Sequence, residues 1–217
     1  MSESFMPDAP AGVRMLSWAL ARAGDHMDPG ELAYLALTSK PELAIRDRLA
    51  WQLHKLVPRA VVAREWRAPG APGRDRTDLA VLDPAGRRPL LLLELKAAYT
   101  FDFASDHLSS AGAYRERVAG DLDKAYQAAG GQESVALYGL LLLIHPHGVP
   151  ADVPGTVKYG PDISRSLRGR DPGELREAAV KRAGEGLREL GPVWSGSLRG
   201  GSAFGVRVSV EWLLVKA

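Results

Sequence analysis

The run VALYGLLLLI at residues 135–144 constrains the fold of this chain more than any other stretch. It is about half the ~20 residues that a membrane-spanning helix needs, and it has no polar side to offer to water. A strand of that character is covered on both faces. The run PLLLLEL at residues 89–95 has the same character until Glu94. Two such strands imply a central mixed sheet flanked by helices, an α/β fold.

The other segments fit that scheme. Residues 12–24 predict a short helix with Val13, Leu16, Trp18 and Leu20 partly buried. Residues 28–40 predict a helix opened by Asp28 as N-cap and Pro29 at its first position. Over residues 39–58 Leu43, Ile45, Leu49, Leu53 and Leu56 recur with helical spacing; Pro58 stops the helix, and Ser39 with Glu42 suits a capping box. Residues 60–68, 77–83 and 89–98 predict strands, the last two joined by a turn around Gly86. A helix over 113–130 precedes the apolar strand. Residues 145–172 are rich in Pro and Gly and predict a long loop. Asp171 caps a helix over 171–190. The tail alternates Val206, Val208, Val210 and Trp212, as a half-buried strand does, after a hairpin turn at Arg199-Gly200-Gly201.

Composition removes several functions. The 217 residues contain no cysteine, which excludes disulfides, thiolate metal sites and a cysteine nucleophile. The net charge of +2 leaves nucleic-acid affinity to local patches. The N-terminus MSESFMPDAP lacks the basic start and apolar core of a secretory signal, so a cytoplasmic protein with no membrane segment is expected. No serine–histidine–acid triad is arguable. YGPDIS and SGSLRGGS lack the Gly-Lys-Ser/Thr end of a phosphate loop.

The chemistry concentrates in the hairpin. Folding residues 77–83 back on 90–96 sets Asp78 opposite Glu94, and cross-strand partners share a face. Lys96 shares that face because strand side chains alternate, while Leu91, Leu93 and Leu95 point away. Two carboxylates so close repel, and their desolvation is costly. A divalent cation between them resolves the conflict, and a hard oxygen set with positions left for water and phosphate suits Mg²⁺, with Mn²⁺ as substitute. Lys96 beside it would orient or deprotonate a water, or offset charge on a phosphate. Phosphodiester hydrolysis follows as the expected reaction.

The stretch TDLAVLDPAGRRPLLLLELK resembles the core of the PD-(D/E)XK nuclease superfamily, the restriction-endonuclease-like fold, with Thr77 where the family name has proline. The resemblance implies an α-β-β-β-α-β core over residues 39–144 in a single domain of residues 1–217. Residues 1–38 would be an N-terminal helical extension, and residues 145–217 a basic loop plus a C-terminal helix and strand or hairpin. It also implies Asp78 and Glu94 as metal ligands and Lys96 as the catalytic lysine. A further acid on the preceding helix is implied, with Glu42 the candidate and Glu31 and Asp47 behind it.

Arg74 and Arg76 flank Asp78 and are candidates for holding a backbone phosphate; Arg165 and Arg168, with Lys158 and Arg170, make the long loop basic. Lys124 and Gln127, and Asp121 and Asp123, read as a solvated helix face. His145 and His147 read as structural, without a third ligand of suitable spacing. The expectation is therefore a Mg²⁺-dependent nuclease acting on DNA, with RNA as the other substrate and a homodimer as a way to cut two strands. The alternative is an inactive nuclease-fold module that binds nucleic acid or a protein partner.

Overall fold

The computed structural model describes residues 8–69, 76–103 and 109–217. Three helices come first: α1 (Ala11–Asp25), α2 (Glu31–Thr38) and α3 (Glu42–Leu56). The strands β1 (Val61–Trp66), β2 (Thr77–Leu82) and β3 (Pro89–Tyr99) follow. A 3₁₀ turn, Thr100–Phe103, leads towards α4 (Ser109–Ala128). After it come β4 (Ala136–Pro146), α5 (Gly160–Leu167), α6 (Pro172–Arg188), β5 (Val193–Ala203) and β6 (Val206–Lys216).

The strands form one mixed sheet of six in the order β1-β2-β3-β4-β6-β5. The β3–β4 pair is parallel and every other pair antiparallel. Strand alternation splits the apolar runs between two cores. Leu91, Leu93, Leu95, Leu140 and Leu142 meet α1, α2 and α3 on one side. Leu92, Leu141 and Leu143 meet α4 and α6 on the other. Both runs are thus buried on both faces. Val13, Leu16, Leu20, Leu32 and Leu37 bring the first two helices into the first core.

One glycine sets how closely α4 approaches. Gly139 pairs with Glu94 across β3–β4. A Cβ there would lie 2.7 Å from Val118 of α4 and 3.1 Å from Val215 of β6. The missing side chain lets α4 settle beside Glu94.

Several local expectations are corrected. Helix α2 begins at Glu31 after a left-handed Gly30, not at Asp28 and Pro29, and the Glu31 carboxylate reaches back to the Asp28 N–H at 3.0 Å. Ser39 and Glu42 form no capping box: the Ser39 hydroxyl donates to the Leu35 carbonyl, and Glu42 is used elsewhere. Residues 145–172 are not all loop, since β4 runs to Pro146 and α5 starts at Gly160 with Pro161 in its first turn. The Arg199-Gly200-Gly201 stretch lies inside β5, with an irregular register between Arg199 and Gly201. The hairpin turns instead at Phe204 and Gly205, both with positive φ, the pattern of a two-residue type I′ loop. β6 is buried from Val208 to Val215 rather than half-buried, because α6 covers its second face, where Leu213 and Val215 pack with Ala179, Ala183 and Leu187. Trp18 faces solvent, 44% exposed, and so do Leu43 and Leu56, leaving Ile45, Leu49 and Leu53 to anchor α3. No helix of the described residues is long and apolar enough to cross a membrane.

Candidate active site

The hairpin turn fixes the register that builds the site. Gly86 takes a left-handed φ of 68°, and one Asp83 carboxylate oxygen accepts the Arg87 and Arg88 N–H groups at 2.8 and 3.2 Å. Leu79 then pairs with Leu93, which brings Asp78 alongside Glu94. The Asp78 charge lies close enough to raise the Glu94 carboxyl. The ladder between β2 and β3 ends there, and it leaves β3 backbone donors facing the β2 side. Asp78 Oδ2 accepts the Leu95 N–H at 2.7 Å, and Glu42 Oε1 accepts the Ala97 N–H. The two acids therefore replace the missing strand, and buried N–H groups need such partners. Glu42 of α3 is tied to the same strand segment as Glu94 and Lys96.

Glu94 is 8% exposed. Burial, and then the charges of Asp78 and Asp121, push its carboxyl up to about 8, against the pull of Lys96. A buried carboxyl beside a second carboxylate favours its protonated form. Lys96 sits on the same face and forms an ion pair with Asp121 of α4. Burial draws the ammonium's pKa down, but the Asp121 hydrogen bond and the charges of Asp121, Asp78 and Glu94 outweigh it, and the net shift is upward. Lys96 is thus a cation at neutral pH. Asp121 also meets Lys124 at 3.2 Å; despite its burial, the two lysines hold its carboxyl below the usual range.

Two acids proposed as alternatives to Glu42 are engaged elsewhere. Glu31 pairs with Arg48 at 3.1 Å, and Asp47 bridges Arg46 and Arg64, each at 2.9 Å. Among the described residues no group of three or more His, Asp and Glu side chains is arranged to hold a metal. Asp78 and Glu94 are two hard oxygen donors side by side, the donor type that Mg²⁺ takes together with waters and substrate phosphate.

Of the candidate phosphate contacts, Arg76 is exposed but bound to Glu65 at 2.9 Å, and Arg165 meets Asp162 at 3.3 Å. Arg168 is exposed at the end of α5. Arg74 lies outside the described residues. His145 is buried with Nδ1 at 3.0 Å from the Thr100 hydroxyl, and His147 Nε2 lies 3.1 Å from Ser209 Oγ, so the pair is structural as expected.

Asp121 was expected to be solvated, and its place against Lys96 corrects that. Its spacing carries a signal: Val118, Leu122 and Ala125 form the buried stripe of α4, and Asp121 borders it. Lys124, Gln127 and Asp123 are exposed.

A separate cleft of about 600 Å³ is lined by residues that follow β3 and flank α4 and α5, and by none of the acidic site residues. Its rings come from Tyr99 at the end of β3, Phe101 of the 3₁₀ turn, Tyr114 of α4 and Tyr159 before α5. The alternation Tyr99, Phe101, Phe103 just beyond Lys96 is the sequence trace of it. Comparison with family models, with curated proteins and with solved structures returns no match.

Proposed function

We propose that the protein is a metal-dependent nuclease of the PD-(D/E)XK kind that hydrolyses phosphodiester bonds of DNA. One observation carries the reading: the β2–β3 register sets Asp78 alongside the buried Glu94, close enough for its charge to raise the Glu94 carboxyl, with Lys96 on the same face. The element order α3-β1-β2-β3-α4-β4 within the six-stranded sheet supports the corresponding core.

Asp78 and Glu94 would hold Mg²⁺, which when bound supplies Lewis-acid activation of water and charge neutralisation at the phosphate. Glu42 and Asp78 fix the β3 backbone through Ala97 and Leu95, so the strand carrying Glu94 and Lys96 cannot drift. Lys96, protonated, offsets negative charge developing on the phosphate and does not serve as a base. Asp121 holds that ammonium in position.

The test is cleavage of plasmid and single-stranded DNA with Mg²⁺ or Mn²⁺. Lys96→Ala and Glu94→Gln are each expected to lower the rate by about 10²-fold or more. Undiminished cleavage in both variants contradicts the assignment. A second reading, a binding module that does not cut, draws on the Lys96–Asp121 ion pair, which occupies the lysine. It predicts DNA binding with no metal-dependent cleavage in the wild type.

A further inference from the structure

We propose that the aromatic cleft beside Glu42 and Lys96 seats an unpaired nucleotide, so that the preferred ligand is a single-stranded nucleic acid. As a statement about the substrate of the acidic site, this rests on the nuclease reading; as a statement about binding, it stands on the cleft.

Three elements supply both places. Lys40 lines the cleft two residues before Glu42. Tyr99 lines it two residues after Ala97, whose N–H Glu42 holds. Tyr114 lines it two turns before Asp121, about 10 Å along the helix, and feels the charge of Glu42. The cleft is thus built by the same elements that carry the acidic site, although none of its lining residues belongs to the carboxyl pair.

Phe101, Tyr114 and Tyr159 offer accessible ring faces, and the buried Tyr99 backs them. Tyr99 and Phe101 stack with centroids 4.9 Å apart and planes 17° from parallel. Tyr159 meets Tyr99 edge-on at 5.2 Å. The Tyr99 hydroxyl is anchored on the Ala36 carbonyl. Tyr159 is the most accessible ring, 40% exposed and held at a left-handed φ of 58°, a conformation rare for a bulky residue. Every base offers a π-face to such rings whatever its identity, whereas the bases of a duplex are stacked on each other.

The charges suit a phosphate. Asp102 in the cleft is occupied: it accepts the Tyr99 N–H at 2.9 Å and the Tyr114 hydroxyl at 3.2 Å. Lys40 and Arg165 line the same cleft. The Arg165 ion pair with Asp162 is exposed on both sides and so weak enough to yield to a phosphate. The volume is that of a small-molecule pocket, right for one nucleotide and too small for a duplex.

The test uses fluorescein-labelled oligo(dT), oligo(U) and a duplex hairpin, read by anisotropy in EDTA so that nothing is cleaved. One or both single strands bind at least about tenfold tighter than the duplex; the tighter of the two identifies the sugar. Tyr159→Ala weakens single-strand binding about tenfold, the worth of one stacked base, with an unchanged melting temperature. Tyr159→Phe stays within about twofold of wild type. Lys40→Ala lowers the slope of log K against log salt by about 0.7, one phosphate contact. Equal affinity for duplex and single strands, or an unchanged affinity in Tyr159→Ala, overturns the proposal. Binding that behaves as expected with no metal-dependent cleavage removes the nuclease reading alone. Cleavage that needs Lys96 but is indifferent to Tyr159 on every substrate removes this proposal alone.

Discussion

Glu94 is a carboxyl group with almost no access to water, set against a second carboxyl group. Such a group is neutralised by a proton or by a cation, and the two occupancies compete. Mg²⁺ should therefore raise the melting temperature of the wild type more at pH 8 than at pH 6, and Glu94→Gln should abolish the Mg²⁺ effect at both; thermal melts in matched buffers read this. Asp121 is a positioning residue, since it touches Lys96 and not the carboxyl pair. Asp121→Asn should lower kcat by about tenfold with little change in KM, because the released ammonium is misplaced rather than lost. Asp121→Glu should recover part of the rate. A Lys96 that merely pairs with a solvated acid would leave kcat unmoved in both.

At the scale of elements, the site depends on how β3 is held on its two sides. Towards β2, side-chain oxygens of Asp78 and Glu42 stand in for a strand. Towards β4, Gly139 allows α4 to close, so that Asp121 reaches Lys96. Gly139→Ala forces Val118 or Val215 to move, and should cost about 1–3 kcal/mol in denaturant unfolding while lowering cleavage; a neutral substitution would mean that α4 does not need the close approach. The elements differ in how plainly the sequence announced them. The β2–β3 register was legible because the turn at Gly86 counts residues back to Asp78 and Glu94 without reference to the rest of the fold. Helix α5 was not, since it buries only Ile163 and sits among prolines and glycines. Glu42 was legible as an acid near the strands, but its attachment to the Ala97 N–H depends on where β2 ends, which no local pattern encodes. Asp121 and the cleft rings depend on how a helix lies across the sheet, and that is decided by Gly139 and the packing around it. β6 was misread as half-buried because Ser209 and Glu211 look like a solvent face until α6 is seen to cover that side of the strand.

For the whole molecule, two buried groups pull the dependence of stability on pH in opposite directions. The folded-state pKa of Glu94, about 8, lies above its ordinary value of 4.5, so its stabilising contribution is complete below 4.5 and is lost as pH rises through 8. His145 is held down to about 3, first by burial and then by His147, Arg176 and Arg207. Its neutral form favours the fold above its ordinary 6.5, and that contribution is lost as pH falls towards 3. Each limb has a slope of at most ~1.4 kcal/mol per pH unit. They oppose one another between 4.5 and 6.5. The metal-free protein should therefore show a plateau of stability there, with an acid limb below and an alkaline limb above; thermal melts across pH 3–9 read the profile. Saturating Mg²⁺ should remove the alkaline limb and leave the acid limb, because only the first belongs to the carboxyl pair.

The most direct measurement is calorimetric titration of Mg²⁺ or Mn²⁺ into the intact protein near pH 7, in two buffers of different ionisation enthalpy. The account predicts one saturable site per chain, with close to one proton released on binding as the ion displaces the proton of the Glu94 carboxyl. It predicts no binding in Asp78→Asn and none in Glu94→Gln. Saturable binding that survives both substitutions unchanged, or no binding in the wild type, would contradict it.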